Sequence, residues 1–446
     1  MSHTVREVAL DTLLQIEKNN AYSNLLLNQM IRESKLSPKD VGLLTEIVYG
    51  TVQRKLTLDY FLNPFLKKQK KIELWVIILL RLSVYQMVYL DRIPERAIIH
   101  EAVEIAKKRG HRGISGMVNG VLRTIQREGV PDLDVMKDPI ERLAVEMSFP
   151  LWLITKWVSQ YGIDTTKKIC ESSLQPPKVS ARVNRKKTTV EEVISRLEKE
   201  NVIAQKGELS IDAITVLNGS IANTKTFLDG YVTIQDESSM LVARALGAAD
   251  NEMILDSCAA PGGKTTHIAE LLSNNGKVTS VDLHPHKVKL IEEQVHRLQL
   301  PNVDTFVSDS RHLQEHFKRE TFDRILVDAP CSGFGVIRRK PDIKYSKKEE
   351  DVPKLAEIQL TILNSVASLL KNEGTLVYST CTIDKEENAD VVEKFLSINK
   401  EFSLDQTMVD RMPERLKPYV KNGQVQILPH YFGTDGFFIA SFRKQV

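Results

Sequence analysis

The fold of the C-terminal half is decided by residues 253–265, which read Met253-Ile254-Leu255-Asp256-Ser257-Cys258-Ala259-Ala260-Pro261-Gly262-Gly263-Lys264-Thr265. A short apolar strand runs here into a turn of small residues, and a helical pattern follows around Thr266–Leu272. Glycine tolerates unusual backbone dihedral angles, and the first amides of a helix lack partners, so a carboxylate or phosphate can approach such a turn closely. The stretch predicts a ligand-binding strand–turn–helix unit.

A phosphate-binding P-loop is the obvious competitor, because Gly263-Lys264-Thr265 matches the last three positions of that motif. The P-loop also requires a glycine five residues before its last glycine, and this chain has Cys258 there. Pro261 would remove an amide donor from the phosphate cradle. These departures disfavour an ATPase, which is kept as a minor hypothesis.

Short apolar strands followed by helices continue to the end of the chain, a pattern typical of a parallel sheet with crossover helices. The predicted strands are Met253–Asp256, Lys277–Asp282, Val303–Val307, Arg324–Asp328, Thr375–Ser379 and Gly436–Phe442. Ligands bind beyond the carboxyl ends of the strands in open α/β sheets. The polar residues that end these strands are therefore expected to face one cleft.

Two carboxylates favour an adenosine ligand in that cleft. Asp282 is placed to accept both hydroxyls of a ribose, and Asp309 to accept from an adenine amino group. For either residue alone, capping of the following helix is an equally good interpretation.

Two cysteines follow neighbouring predicted strands, in Asp328-Ala329-Pro330-Cys331 and in Ser379-Thr380-Cys381. An isolated cysteine is more often a small buried filler, which is the interpretation that we give to Cys170. Cys331 and Cys381 instead stand where an apolar strand turns into a polar loop. We expect both thiols in the same cleft.

Upstream of the sheet, residues 1–130 carry apolar residues at helical spacing and predict an all-helical bundle. A segment rich in proline and aspartate, Val130–Pro139, predicts a linker. Residues 140–230 alternate helical and β-prone pieces and predict a small α+β subdomain, and residues 231–446 form the α/β domain. The apolar run Ile72–Leu80 is interrupted by Arg81 and predicts a buried helix rather than a membrane span.

Basic clusters could bind a polyanion or be ordinary solvated surface, and both interpretations stay open. The clusters are Lys67–Lys71, Lys107–Arg112 and the group Arg182, Arg185, Lys186 and Lys187. The overall charge decides nothing, because 61 basic and 58 acidic residues nearly balance.

The four cysteines are far apart in the 446-residue chain, which argues against a zinc site and a disulfide framework. We therefore expect no metal and a reducing compartment. The first residues lack the apolar block of a secretion signal, so the expected location is the cytoplasm.

With these motifs assembled, the sequence resembles the family of RNA 5-methylcytosine methyltransferases, and closely its bacterial ribosomal RNA branch (Sun, Fmu or RsmB). The resemblance is close to full length. Further matches are Arg338-Arg339-Lys340-Pro341-Asp342 and Gly433-Thr434-Asp435-Gly436-Phe437-Phe438. The helical first domain is similar to the RNA-binding bundle NusB through Arg6-Glu7, Tyr22-Ser23-Asn24 and Asn119–Leu122.

The resemblance implies a Rossmann-like domain that binds S-adenosylmethionine. In the family, cofactor binding involves the residues matching Cys258, Ala259, Ala260, Pro261, Gly262, Gly263, Lys264, Asp282, Asp309 and Asp328. The motif Tyr378-Ser379-Thr380-Cys381-Thr382 carries the nucleophile, and Thr382 stands where serine is frequent. The cysteine matching Cys331 helps to break the covalent adduct.

That chemistry explains why two thiols would share a cleft. Carbon 5 of cytosine is a poor nucleophile until a thiolate adds to carbon 6. Asp328 is our candidate for hydrogen bonding and proton donation at nitrogen 3, and Lys264 would hold Asp328 or the base in place. The resemblance, rather than the chemistry, selects Cys381 over Cys331 as the nucleophile, since DNA cytosine methyltransferases use the cysteine of Pro-Cys.

The implied substrate is a cytosine in small-subunit (16S) ribosomal RNA, flipped out of its stack or already unpaired. No membrane or DNA partner is expected, and the sequence does not reveal the oligomeric state. A transfer RNA cytosine-5 methyltransferase and a non-catalytic RNA-binding or assembly protein are the alternatives.

Overall fold

A computed structural model describes residues 4–19, 23–34, 36–67, 71–272 and 275–446. Its helices are α1 (Val5–Asn19), α2 (Ser23–Ser34), α3 (Pro38–Gln53), α4 (Lys55–Leu66), α5 (Leu74–Tyr89), α6 (Glu95–Arg109), α7 (Arg112–Glu128), α8 (Pro139–Met147), α9 (Leu151–Tyr161), α10 (Ile163–Leu174), α11 (Val190–Lys199), α12 (Lys225–Leu228), α13 (Glu237–Leu246), α14 (Gly263–Leu271), α15 (Pro285–Leu298), α16 (Ile343–Ser346), α17 (Asp351–Ala367), α18 (Ala389–Ile398) and α19 (Pro429–Phe432). Its strands are β1 (Val179–Val183), β2 (Ile203–Lys206), β3 (Ala213–Asn218), β4 (Val232–Ile234), β5 (Met253–Asp256), β6 (Lys277–Asp282), β7 (Val303–Val307), β8 (Phe322–Asp328), β9 (Leu370–Thr380), β10 (Phe402–Leu404), β11 (Gln424–Ile427) and β12 (Phe437–Lys444).

The chain forms two compact units, Met1–Gln175 with Ile337–Glu349, and Pro176–Val336 with Glu350–Val446. Helix α5 lies at the centre of the first unit, and nearly every residue from Val76 to Gln86 is buried. The predicted buried helix is therefore confirmed, although it begins at Leu74 and continues through Arg81. Arg81 can be buried because its Nε and Nη2 donate to the two carboxylate oxygens of Asp59, at 2.6 and 2.9 Å.

Residues between α7 and α8 form no helix or strand, as expected of the segment Val130–Pro139. The first compact unit nevertheless continues beyond it, because α8 packs against α4. Thr57 Oγ1 donates to the carbonyl of Val145 at 2.6 Å, and the Leu56 amide donates to Ser148 Oγ at 2.9 Å. The domain boundaries inferred from the sequence stay predictions.

The segment Ile337–Glu349 belongs to the first unit although it follows the strands of the second. Lys344 is buried in it and donates from Nζ to the carbonyl of Gln53 at 2.8 Å. Its ammonium lies 4.1 Å from the centroid of the Phe149 ring. Burial holds the pKa of Lys344 well below its ordinary value.

The second unit contains a small antiparallel sheet in the order β2-β3-β1-β4, which packs with α11 around a core that includes Ala181, Val193 and Ile214. The alternation of helical and β-prone pieces predicted in this part of the chain is thus present.

The larger sheet of this unit has the order β10-β12-β9-β8-β5-β6-β7, with β11 paired to β12. Strands β5 to β9 are parallel, and each predicted strand is present. The expectation of a parallel sheet is corrected at one edge, where β12 runs antiparallel to β9, β10 and β11. A short connection from β11 returns the chain in the opposite direction, whereas a parallel strand needs a long crossover. Strands β10 and β11 were not predicted.

No helix within the described ranges is long and apolar enough to cross a membrane. Over the same ranges, no group of three or more histidines, cysteines or carboxylates is arranged to hold a metal ion.

Candidate active site

The turn between β5 and α14 is shaped by glycine. Gly262 has φ 99° and is the N-cap of α14, and a Cβ added there would lie 3.2 Å from the Cα of Ile291. At the next residue, Gly263, an added Cβ would meet only the side chain of Gln235, in ordinary van der Waals contact at 3.8 Å. The helix starts at Gly263, earlier than the pattern suggested, so its first amides belong to the turn.

Asp256 ends β5 as a fully buried carboxylic group. Thr265 Oγ1 donates to its Oδ2 at 2.6 Å, whereas its Oδ1 has no hydrogen-bond partner within the described part of the chain. Burial raises the pKa of Asp256 to about 7, with a further contribution from the charge of Asp328. This carboxyl group therefore titrates near neutral pH.

Asp282 and Asp309 have different surroundings. Asp282 Oδ2 accepts from the Ala260 amide of the turn at 3.2 Å, and its Oδ1 accepts from the amide of His284, the N-cap residue of α15, also at 3.2 Å. Asp309 caps the short 3-10 helix Ser310–Glu315 and forms a bidentate pair with Arg311. Hydrogen bonding to Arg311 lowers the pKa of Asp309. Asp309 therefore caps the helix that follows it, as the alternative interpretation predicted. A cofactor role for Asp282 or Asp309 stays a prediction.

Asp328, at the end of β8, is brought together with Lys264 of the turn. Lys264 Nζ lies 2.7 Å from Asp328 Oδ2, and Ser379 Oγ donates to Asp328 Oδ1 at 2.8 Å. Burial alone would lower the pKa of Lys264, but the adjacent Asp328 charge outweighs it and the pKa is raised. The ammonium also lies 5.0 Å from the centroid of the Phe437 ring.

The two predicted thiols meet. Strands β8 and β9 are parallel neighbours with Asp328 opposite Ser379, so the loops that follow them start at the same level. The Sγ atoms of Cys331 and Cys381 lie 3.4 Å apart, and both residues are half-buried. The pKa of Cys331 is raised well above its ordinary value, first because its thiol hydrogen bonds to Cys381 and also because it is buried.

The other two cysteines are unsuited to ionise. Cys170 is buried on α10, as expected of a filler, and burial raises its pKa. Burial raises the pKa of Cys258 in the turn to about 12.

Sequence reasoning gave no role to the side chains that support this site, although some lie in the quoted motifs; these side chains are Ser379, Phe437, Ser332, Thr382 and Glu387. Ser379 had a usable signal, because it ends the strand next to Asp328. Glu387 had none, since it lies beyond the cysteine motif in a loop before α18.

The structure also limits where RNA phosphates can bind. Arg182 is buried and forms a bidentate pair with Glu270, so its suggested contact with a phosphate is wrong. In the second basic cluster, Lys108 pairs with Glu7 at 2.6 Å and Arg109 forms a bidentate pair with Asp11. Tyr22 of the NusB-like motif and residues 68–70 of the basic cluster Lys67–Lys71 lie outside the described residues.

Family models match three parts of the chain. The model described as 16S rRNA methyltransferase RsmB/F matches residues 243–443, the NusB family model matches residues 3–127, and an RsmF/B-like ferredoxin-like domain matches residues 149–221. These matches confirm the predicted succession of a NusB-like helical region, a small α+β subdomain and an α/β methyltransferase domain.

Relatives that align over nearly the full length of the chain indicate the same family. The probable ribosomal RNA small subunit methyltransferase B of Bacillus subtilis (strain 168) is 56% identical, and the alignment covers 99% of both chains. Ribosomal RNA small subunit methyltransferase B of Proteus mirabilis is 32% identical over 100% of this chain and 99% of its own. Among solved structures, PH0851 has a TM-score of 0.83 at 26% identity and covers 100% of both chains. A methyltransferase homologue from Pyrococcus horikoshii has a TM-score of 0.58 at 28% identity, covering 69% of this chain and 100% of its own. The chain therefore belongs to the RsmB/F family of 16S ribosomal RNA methyltransferases.

Proposed function

We propose that this protein transfers the methyl group of S-adenosylmethionine to carbon 5 of a cytosine in small-subunit ribosomal RNA, with Cys381 as the covalent nucleophile. The observation that carries the proposal is the pair of thiols 3.4 Å apart at the ends of β8 and β9. Two adjacent thiols suit attack on carbon 6 of a pyrimidine by one of them, with the other assisting the later elimination.

The residues of the turn fit the proposed cofactor. Residues 258–264 would surround it, with Asp282 and Asp309 accepting from its ribose and adenine and Asp328 closing the site. The positive φ of Gly262 in the turn and the carboxylate of Asp282 beside it support this assignment. When bound, S-adenosylmethionine supplies an electrophilic methyl group, which the activated carbon 5 takes up.

The chain's own groups perform the remaining steps. The Cys381 thiolate forms a bond to carbon 6, and the displaced electron pair is stabilised as nitrogen 3 receives a proton from the Lys264–Asp328 pair. After methylation, a base removes the proton on carbon 5, the carbon–sulfur bond breaks, and nitrogen 3 returns its proton. Cys331, whose Sγ lies 3.4 Å from that of Cys381, assists the release of Cys381 from the adduct.

The target base must leave its stack, because the thiolate approaches the face of the ring. The NusB-like helical region would position the RNA. A site with two adjacent thiols also suits a reducing compartment, and we infer that the protein works in the cytoplasm.

The test is methyl transfer from labelled S-adenosylmethionine to unmodified small-subunit ribosomal RNA and to transfer RNA. We expect transfer to ribosomal RNA by the wild type, none by Cys381→Ala, and a trapped protein–RNA adduct with Cys331→Ala. Transfer that survives in Cys381→Ala would refute the assigned nucleophile. Methyl transfer to transfer RNA alone would make transfer RNA, rather than ribosomal RNA, the substrate. Absence of methyl transfer by a wild-type protein that binds the cofactor would favour the non-catalytic alternative.

A further inference from the structure

Glu387 is a carboxylate that the reaction scheme does not use and that solvent does not reach. Its exposed fraction is 0%, and burial raises its pKa above the ordinary value. A buried carboxylate is costly unless hydrogen bonds compensate for the lost water. Its partners therefore indicate what the residue is for.

The partners of Glu387 surround Cys331 in sequence. The Ser332 amide donates to Glu387 Oε2 at 2.8 Å, and the Ser332 hydroxyl is hydrogen bonded to Oε1. Gln359 Nε2 donates to the same Oε2 at 3.0 Å and to the carbonyl of Pro330 at 2.9 Å. Of the residues before and after Cys331, Ser332 is thus bonded to Glu387 directly and Pro330 is connected to it through Gln359.

The loop that carries Cys381 is tied to the same group. The hydroxyls of Ser332 and Thr382 lie 2.7 Å apart, and Thr382 directly follows Cys381. Tyr378, on β9, donates to the carbonyl of Glu387 at 2.5 Å. Glu387 is therefore linked to both cysteine loops, through direct bonds on one side and through Ser332 on the other.

We propose that Glu387 is a positioning residue that fixes the separation of the Cys331 and Cys381 thiols. It acts through Ser332 and Thr382 and does not touch the substrate, since it is fully buried. Its catalytic importance rests on the function proposed above, whereas its effect on the two thiols does not.

The substitutions Glu387→Ala and Glu387→Gln separate hydrogen bonding from charge. A glutamine can accept from the Ser332 amide and Gln359 through its oxygen and donate to Ser332 Oγ through its nitrogen. Alanine can do neither. Glu393→Ala, at an exposed glutamate on α18, is the matched control.

We expect Glu387→Ala to lower kcat by about tenfold to a hundredfold, because small misplacements of reacting groups are costly. The KM for RNA and the affinity for S-adenosylmethionine should stay within about twofold, because the loss is confined to the reacting groups. Glu387→Gln should restore most of kcat, and Glu393→Ala should match the wild type. Equal losses in Glu387→Ala and Glu387→Gln, or wild-type kcat in Glu387→Ala, would overturn the proposal.

A second measurement needs no RNA. Mild oxidation with diamide joins the two thiols in a disulfide, and the two protons and two electrons that they lose convert the diazene to a hydrazine. The reaction should be fast in the wild type and in Glu387→Gln, and slower in Glu387→Ala. Thr382→Val removes the hydrogen bond between the hydroxyls of Ser332 and Thr382 and leaves the buried carboxylate unchanged. It should also slow disulfide formation, and it replaces Glu387→Ala in this test if that variant does not fold.

The two measurements distinguish the two proposals. Slower disulfide formation without any methyl transfer by the wild type would uphold the positioning role and refute the proposed function. Methyl transfer that depends on Cys381, together with an unchanged rate of disulfide formation in Glu387→Ala and Thr382→Val, would uphold the proposed function and refute the positioning role.

Discussion

Lys264 and Asp328 form an ion pair of 2.7 Å that joins the first turn of α14 to the end of β8. The pair links the turn proposed to hold the cofactor to the strand end proposed to hold the base. Because Ser379 occupies the second carboxylate oxygen, the carboxylate is fixed on both sides. The proposed proton donor for the base thus lies at the contact between two elements.

Lys264→Met should therefore lower kcat by about a hundredfold or more, which is the range expected for the loss of a positioned acid. Single-turnover transfer with saturating S-adenosylmethionine measures this effect, and equilibrium binding of the cofactor separates it from a binding defect. Lys289→Met, at an exposed lysine on α15, is the control. A wild-type rate in Lys264→Met would remove Lys264 from the proposed chemistry.

The elements that the sequence predicted are those whose signal is local. Strands β5, β6 and β7 have the predicted bounds because each is a short apolar run that ends at a polar turn. The position of the two thiols also followed from the order of neighbouring strands. The role of Arg182 did not, because its partner Glu270 lies 88 residues away and nothing near Arg182 in sequence indicates burial. Glu387 was missed for the same reason.

Arg182→Met should destabilise the second unit by about 3 to 5 kcal/mol, because it leaves the carboxylate of Glu270 buried without its partner. The loss should be smaller in the double substitution Arg182→Met with Glu270→Leu, which leaves no buried charge. Arg182 also donates to the carbonyl of Gly263 at 2.8 Å, so the single substitution should weaken cofactor binding as well.

Guanidinium unfolding followed by circular dichroism measures this loss. Arg182→Met should unfold at a lower guanidinium concentration than the wild type. If Arg182→Met and the double substitution lower the free energy of unfolding equally, the unpaired carboxylate of Glu270 is not the cause of the lost stability.

The pKa of Asp256 predicts a pH dependence of stability. Its pKa is raised from 3.8 to about 7 in the folded protein, so between these values the folded state binds more protons than the unfolded state. The stability that this proton contributes is present at low pH and is lost as the pH rises towards and through 7. Asp256→Asn cannot lose that proton.

Between pH 5 and pH 8, the free energy of unfolding of the wild type should therefore fall by roughly 2 to 3 kcal/mol relative to that of Asp256→Asn. Circular dichroism of both proteins at the two pH values measures the difference, in which contributions from other groups cancel. A difference that does not change with pH would show that Asp256 is already ionised at pH 5 in the folded protein.

Gly335 marks the point where two loops of the site touch. Its amide donates to the carbonyl of Cys381 at 2.9 Å, and a Cβ there would lie 2.0 Å from the carbonyl oxygen of Gly436. Both neighbours are backbone atoms that cannot rotate away. Gly335→Ala should therefore push the Cys381 loop out of place, lower the rate of methyl transfer and destabilise the second unit by about 1 to 3 kcal/mol.

The matched control is Gly42→Ala in α3, where an added Cβ meets no atom within 4 Å. That substitution should stabilise the first unit by about 0.5 to 1 kcal/mol, because alanine is a better helix former, and should leave methyl transfer unchanged. Wild-type transfer by Gly335→Ala, with an unshifted unfolding transition, would mean that the loop moves at little cost. In that case the contact of Gly335 with Gly436 does not hold the nucleophile.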